Sequence, residues 1–181
     1  MTRIAIPARD AVPTPSQPLL DGVEKQLGTV PNLFRLFALS PAALQGYLGL
    51  SGALAKTLDA KTRERIAIAI AQANGCDYCL SAHTYLGREL AKLTPEDAEL
   101  ARQGTSTDPK AAAAVHFART VLATRGKVPE GELATVREAG FTDAQIVEIV
   151  AHVAVNFLTN ILNNVAETEI DFPVVRVADA A

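Results

Sequence analysis

Arg63-Glu64-Arg65-Ile66-Ala67-Ile68-Ala69-Ile70-Ala71-Gln72-Ala73-Asn74-Gly75-Cys76-Asp77-Tyr78-Cys79-Leu80-Ser81-Ala82-His83 is the stretch that decides how the chain folds. Its first half alternates large and small apolar residues, which is the period of a strand. Yet no polar face accompanies the alternation, and alanine is depleted in strands. Asp59 stands ahead of the stretch as an N-cap and Gly75 behind it as a C-terminal stop. We read a helix from Ala60 to Asn74, buried on most sides, and a second helix from Cys76 towards Lys92.

The same punctuation recurs on both sides. Alanine, the strongest helix former, supplies 32 of 181 residues. A proline-rich entry (Pro13, Pro15, Pro18) leads to amphipathic stretches at Leu19 to Leu27 and Pro31 to Phe37. Ser40-Pro41 opens a helix towards Leu58, Thr94-Pro95 a short one, and Asp108-Pro109 one that reaches Arg125. Pro129 to Ala139 is stopped by Gly140, and Thr142-Asp143 opens a long apolar-rich stretch from Ala144 towards Glu167. Gly104 to Asp108 reads as an exposed loop, and Asp171 to Val175 as an extended tail packed on the surface. No low-complexity tract or charged linker divides the chain, so the expectation is one all-α domain over residues 1–181.

Composition narrows the class of partner. A formal net charge of −3 with 5% aromatic residues argues against nucleic acid, which requires a basic face and stacking platforms. No purely apolar run reaches the length of a membrane span. Pro7, Arg9 and Asp10 interrupt the N-terminus before a signal-peptide core forms, so a soluble cytoplasmic protein is expected. The two cysteines, Cys76 and Cys79, lie too close in sequence to close a loop worth stabilising.

Their chemistry is more telling. Fold the two helices back on each other at Gly75, with a rise of about 1.5 Å per residue. Cys76 then lies about 1–2 Å below the tip, Cys79 about 6 Å, His83 about 12 Å and Glu64 about 16 Å. Cys76, Cys79 and His83, three and four residues apart, share one face. With the Glu64 face turned towards them, the order is thiol, thiol, imidazole, carboxylate, which is the layout of a proton relay. A thiolate is the reactive form of cysteine, and unpaired N–H groups in a first helical turn favour that anion. His83 is placed to take the thiol proton, and Glu64 to hold the imidazolium directly or through a water. Asp77 opposes a thiolate by its charge, so its side chain is expected to point outward.

Plainer readings of the same residues exist. Cysteine is readily buried as an inert core residue. Cys76, Cys79 and His83 could be zinc ligands, but a structural zinc wants a fourth, and we expect no metal or cofactor. Glu64 could be a solvated carboxylate near a helix start. His116 and His152 read as satisfied core histidines, and Tyr47, Tyr78 and Tyr85 as apolar area with one hydrogen bond each.

Arg63-Glu64-Arg65 followed by Gly75-Cys76-Asp77-Tyr78-Cys79-Leu80-Ser81-Ala82-His83 resembles the alkylhydroperoxidase AhpD-like branch of the carboxymuconolactone decarboxylase family. Val30-Pro31-Asn32-Leu33-Phe34-Arg35 and the run from Thr159 to Pro173 are similar to its peroxidase-related subgroup. The resemblance implies an all-helical homo-oligomer that reduces hydroperoxides at the expense of a dithiol or thiol-protein reductant. It implies that Cys79 is the peroxidatic nucleophile, that Cys76 resolves its sulfenic acid as a disulfide, and that Glu64 and His83 relay protons. Tyr78 stands where the best-studied members carry histidine, and Asn163-Asn164-Val165 where relatives often have Asn-His-Val. A decarboxylase acting on a small lactone and a non-catalytic redox-sensing oligomer are the alternatives.

Overall fold

The computed structural model describes residues 2–177. Its main elements are α1 (Gln17–Leu27), α2 (Asn32–Phe37), α3 (Pro41–Leu54), α4 (Ala60–Ala73), α5 (Asp77–Glu89), α6 (Pro95–Arg102), α7 (Pro109–Thr124), α8 (Glu130–Glu138) and α9 (Asp143–Ala166). No strand occurs among the described residues, and the architecture is all-α. The side chains of Ser40, Asp59, Thr94, Asp108 and Thr142 each accept a backbone N–H of the helix they open, as their positions led us to expect. Two ends differ from expectation. α3 stops at Leu54 rather than Leu58, and α5 at Glu89 rather than Lys92. In the second case Lys92 adopts φ 58° and the Leu93 N–H turns back to the Gly87 carbonyl at 2.9 Å.

The alternating stretch is a helix at the centre of the molecule. In a helix, residues two apart point about 200° apart, to opposite sides. Accordingly Ile68 and Ala71 enter a core shared with α1, α2 and α5, while Ile66, Ala69 and Ile70 enter a second core with α7, α8 and α9. Every residue from Arg65 to Ala71 is buried. The one charge among them, Arg65, is paired with buried Asp97 of α6, which also accepts from Ser106 at 3.0 Å and Thr107 at 3.3 Å. That use of Ser106 and Thr107 makes residues 104–106 of the expected exposed loop half-buried.

α4 and α5 form the hairpin that carries the cysteines. Gly75, at φ 64°, takes the left-handed position after α4, where a Cβ is strained. The Cys76 N–H bonds the Ala71 carbonyl at 3.0 Å and the Gly75 N–H bonds Gln72 at 3.3 Å, the paired closure of a Schellman motif. The same backbone turn thus ends one helix and delivers Cys76 as N-cap of the next. Further down, Gly87 leaves room for Leu93, which a Cβ there would meet at 3.0 Å, while Glu64 of α4 would lie at contact distance, 3.5 Å.

The tail is extended and packs on the surface as expected, and the structure shows that it crosses α5. The Val175 N–H bonds Ser81 Oγ at 2.9 Å, the Val177 N–H bonds Asp77 at 2.8 Å, and the Arg176 guanidinium pairs with Asp77 at 2.7 Å. Phe172 packs on Tyr78 and Tyr85, each with ring centroids 5.9 Å away. α9 is long and apolar enough to cross a membrane by length and composition, with a mean hydropathy of 1.5 over 18 residues. Here it packs on α3, α4, α5 and α7, with Asn156, Asn160 and Asn163 buried on its inner face. His116 departs from the core role expected of it. It lies on the solvent face of α7 and pairs with Glu132 of α8 at 3.2 Å, because the apolar face of α7 is formed by Ala114, Val115, Phe117 and Ala118.

Candidate active site

The four residues singled out in the sequence converge on the α4–α5 hairpin. Cys76 and Cys79 are free thiols, both buried, and lie close together. Cys76 Sγ accepts the Cys79 backbone N–H at 3.4 Å, so the N-cap position is filled by sulfur. His83 Nδ1 lies 2.9 Å from Glu64 Oε2, a direct contact across the hairpin. The hydrogen-bond partner of the imidazole is therefore Glu64; with Cys79, one turn back along α5, it interacts through charge.

Electrostatics separates the two thiols. Cys79 receives a hydrogen bond from the Cys76 thiol; burial opposes the anion, but the charge of His83 and the amides of Asn163 and Asn160 add to its support. Together they push its pKa down to about 6. Cys76, donating to Cys79, buried, and facing the charge that Cys79 carries, is pushed well above the ordinary thiol range. For His83, burial disfavours the imidazolium, but the charge and hydrogen bond of Glu64 and the charge of Cys79 outweigh it and raise the pKa. This arrangement favours a thiolate at Cys79, a thiol at Cys76 and an imidazolium at His83 beside Glu64. Asp77 points away from the sulfurs to Arg176 and Val177, as its charge required.

Residues not foreseen from the sequence complete the surroundings. Asn163 Nδ2 of α9 donates to Cys79 Sγ at 3.2 Å. Thr159 Oγ1 lies 4.0 Å from the same sulfur and itself donates to the Asn156 carbonyl at 2.9 Å. Asn156, Thr159, Asn160 and Asn163 recur at intervals of three and four in an otherwise apolar helix, and that spacing was the available signal. His152, on the same helix, is buried as expected but not fully satisfied: its Nε2 has no partner. Burial first, and then the Arg63 charge, lower its pKa to about 4, so it is neutral.

Tyr78 occupies a motif position yet points away from the reaction chemistry. Its hydroxyl donates to Asp171 at 2.8 Å and accepts the Leu33 N–H at 3.1 Å, tying the tail and α2 to α5. Two cavities flank the hairpin. A cleft of about 240 Å³ is lined mostly by apolar side chains, among them Leu33, Phe34, Ala82 and Phe172, with Gln26, Ser51 and His83 as polar members. Tyr47, stacked on Phe37 at 4.9 Å, is kept protonated there by burial and by the charges of Cys79 and Glu64. An open groove of about 540 Å³ runs between the tail and α9, past Gly75, Asp77, Tyr78 and Asn163. Among the described residues, no three His, Cys, Asp or Glu side chains are grouped so as to hold a metal ion.

Comparison with known proteins bears on the family and the fold. Residues 41–120 match the model of the carboxymuconolactone decarboxylase family. An uncharacterized protein of Haemophilus influenzae is 51% identical over 45 residues, a match that spans 24% of this chain and 40% of that protein's length. The crystal structure of an alkylhydroperoxidase AhpD core, an uncharacterized peroxidase-related protein from Ralstonia eutropha, superimposes with a TM-score of 0.83 at 28% identity. That alignment covers 94% of this chain and 92% of the other. The debrominase Bmp8, as a cysteine-to-alanine variant in complex with 2,3,4-tribromopyrrole, shares the fold with a TM-score of 0.77 at 19% identity, over 94% of each chain. Residues 41–120 thus match a carboxymuconolactone decarboxylase family domain, and the helical architecture of the chain is that of the AhpD-like, peroxidase-related structures.

Proposed function

We propose that the protein is a thiol-dependent peroxidase that reduces hydroperoxides through the Cys76–Cys79 pair. The Cys79 thiolate attacks the outer oxygen of the hydroperoxide; an S–O bond forms, the O–O bond breaks, and the alkoxide leaves. The His83 imidazolium, held by Glu64, supplies the proton that turns the alkoxide into an alcohol. Cys79 is then a sulfenic acid, two electrons more oxidised. Cys76 attacks its sulfur, an S–S bond replaces the S–O bond, and water leaves with the Cys76 proton. An external dithiol or thiol protein reduces the disulfide and restores the starting state.

The observation that carries this reading is the asymmetry of the two buried thiols, one pushed down to about 6 and its neighbour held protonated. The mostly apolar cleft that His83 helps to line supports an organic hydroperoxide, and the open groove beside Gly75 and Asp77 supports access by the reductant. Val147, Val150, Phe157, Leu158, Ile161 and Val165 form an exposed apolar stripe along α9, which supports self-association. Thiols that must cycle through the reduced state fit a cytoplasmic setting.

Turnover of tert-butyl hydroperoxide with dithiothreitol as reductant tests the proposal. Cys79→Ser abolishes it, while Cys76→Ser allows one stoichiometric oxidation and no disulfide. Full turnover by Cys79→Ser overturns the mechanism. Decarboxylation of a small lactone that survives alkylation of both thiols puts the acid–base alternative in its place.

A further inference from the structure

The inner face of α9 presents amide groups to the reactive sulfur that the reaction sequence above leaves unused. Asn163 Nδ2 already donates to Cys79 Sγ at 3.2 Å. Asn160, completely buried, has its Oδ1 engaged by Asn74 Nδ2 at 2.9 Å, which fixes the plane and sense of its carboxamide. Its Nδ2 is left without a partner, and so is Oδ1 of Asn163. A buried amide N–H without a partner is destabilising, because it gives up its hydrogen bond to water and gains none. Buried orphans of this kind are rare enough to call for a reason. Asn74 is the C-cap of α4, two residues before Cys76, so the turn that delivers the cysteines also sets the Asn160 amide. Asn160 also belongs to the surroundings that stabilise the Cys79 anion.

We infer that Asn163 and Asn160 form a carboxamide cradle for Cys79, in which Asn163 holds the thiolate and the free Asn160 N–H receives the oxygen of the sulfenic acid formed from it. The inference rests on Cys79 being the peroxidatic residue. The chemistry suits the arrangement: negative charge sits on the Cys79 sulfur before the attack and departs with the alkoxide, leaving a sulfenic acid whose new oxygen needs a hydrogen-bond partner in a buried site. A donor pair spanning both positions holds the thiolate before the step and the sulfenic-acid oxygen after it. The cradle also holds the sulfenic acid still while Cys76, the N-cap of α5, attacks its sulfur. Asn163 thus touches the reacting sulfur, and Asn160 is assigned the oxygen that the reaction proposed above adds to it.

The test uses the full chain carrying Cys76→Ser, so that Cys79 is the only thiol and its sulfenic acid cannot close to a disulfide. Two readouts are taken: the pH midpoint of Cys79 alkylation by iodoacetamide, and the lifetime of the sulfenic acid, trapped with dimedone after one equivalent of tert-butyl hydroperoxide. Asn163→Leu and, as a shape-conserving second choice, Asn163→Asp raise the midpoint by about one pH unit or more, the size of one charge-assisted hydrogen bond. Asn160→Leu moves the midpoint less and shortens the sulfenic-acid lifetime about tenfold. Circular dichroism identifies any variant that fails to fold, and the other Asn163 variant then decides. Unchanged midpoints in folded Asn163 variants, or an unchanged lifetime in Asn160→Leu, overturn the cradle. If the parent forms no sulfenic acid, the peroxidase reading fails instead, and the alkylation midpoints still show whether Asn163 holds the thiolate.

Discussion

His83 Nδ1 and Glu64 Oε2 meet at 2.9 Å across the α4–α5 hairpin, joining residues 19 positions apart. The contact depends on how closely the helices run: a Cβ at Gly87, one turn beyond His83, would already be in van der Waals contact with Glu64 at 3.5 Å and Ile68 at 3.7 Å. A carboxylate on one helix therefore sets the protonation state of an imidazole on the other.

Replacing that carboxylate removes the influence. Glu64→Gln lowers the pKa of His83, because burial then acts against the imidazolium without the opposing charge. An acid catalyst lost in this way is worth about 10²–10⁴-fold in rate. Peroxide turnover falls within that range at neutral pH, and an NMR titration of His83 reports the lowered pKa. By linkage, the raised pKa of His83 stabilises the native protein below its unfolded value and loses that contribution as pH rises through the folded value. Glu64→Gln flattens this part of the stability–pH curve.

Cys79 gives the rate its acid limb. With a pKa of about 6, the thiolate fraction and the rate of its alkylation rise through that pH and level off before neutrality. The sign for stability is opposite to that of His83. A thiol whose pKa is depressed on folding contributes its full stability above the unfolded value, about 8.5, and loses it as pH falls through the folded value. Denaturation of the reduced protein between pH 6 and pH 8.5 checks this, and Cys79→Ser removes the dependence.

Tyr78 has a structural task, which separates it from the cysteines beside it. Tyr78→Phe loses the bond to Asp171 and leaves the Leu33 N–H without its acceptor. The cost is about 1–2 kcal/mol, with a melting temperature lower by a few degrees. The alkylation midpoint of Cys79 stays where it is, so thermal melting changes and thiol reactivity does not.

The Arg65–Asp97 pair is the buried ion pair on the central helix. Asp97→Ala leaves Arg65 charged and unpaired in the core, at a cost of about 3–5 kcal/mol. The double replacement Arg65→Met/Asp97→Leu costs far less, since it leaves no buried charge. Urea unfolding of both variants measures the difference. Burial works against the Asp97 carboxylate, but Arg65, Ser106 and Thr107 outweigh it and hold its pKa down, so its contribution to stability fades as pH falls below the ordinary carboxylate range.

Much of the site could be read locally. Caps at Asp59 and Gly75 bounded α4, and intervals of three and four put Cys76, Cys79 and His83 on one face. Because the two helices are joined by so short a turn, their faces had few ways to meet, and Glu64 was within reach. His116 shows the limit: its apolar neighbours on α7 suggested the core, yet a single residue's azimuth put it in solvent. Asn163 lies 84 residues from Cys79, and nothing in either segment names the other.

Helix order, the hairpin and the spacing of thiols and imidazole follow from the sequence alone, since backbone periodicity and capping act over a few residues. Which cysteine ionises, which faces of α9 are buried and how the tail crosses α5 were decided by tertiary structure. Apolar burial drives that packing without direction, and only the assembled core brings the amides of α9 to the sulfur of α5.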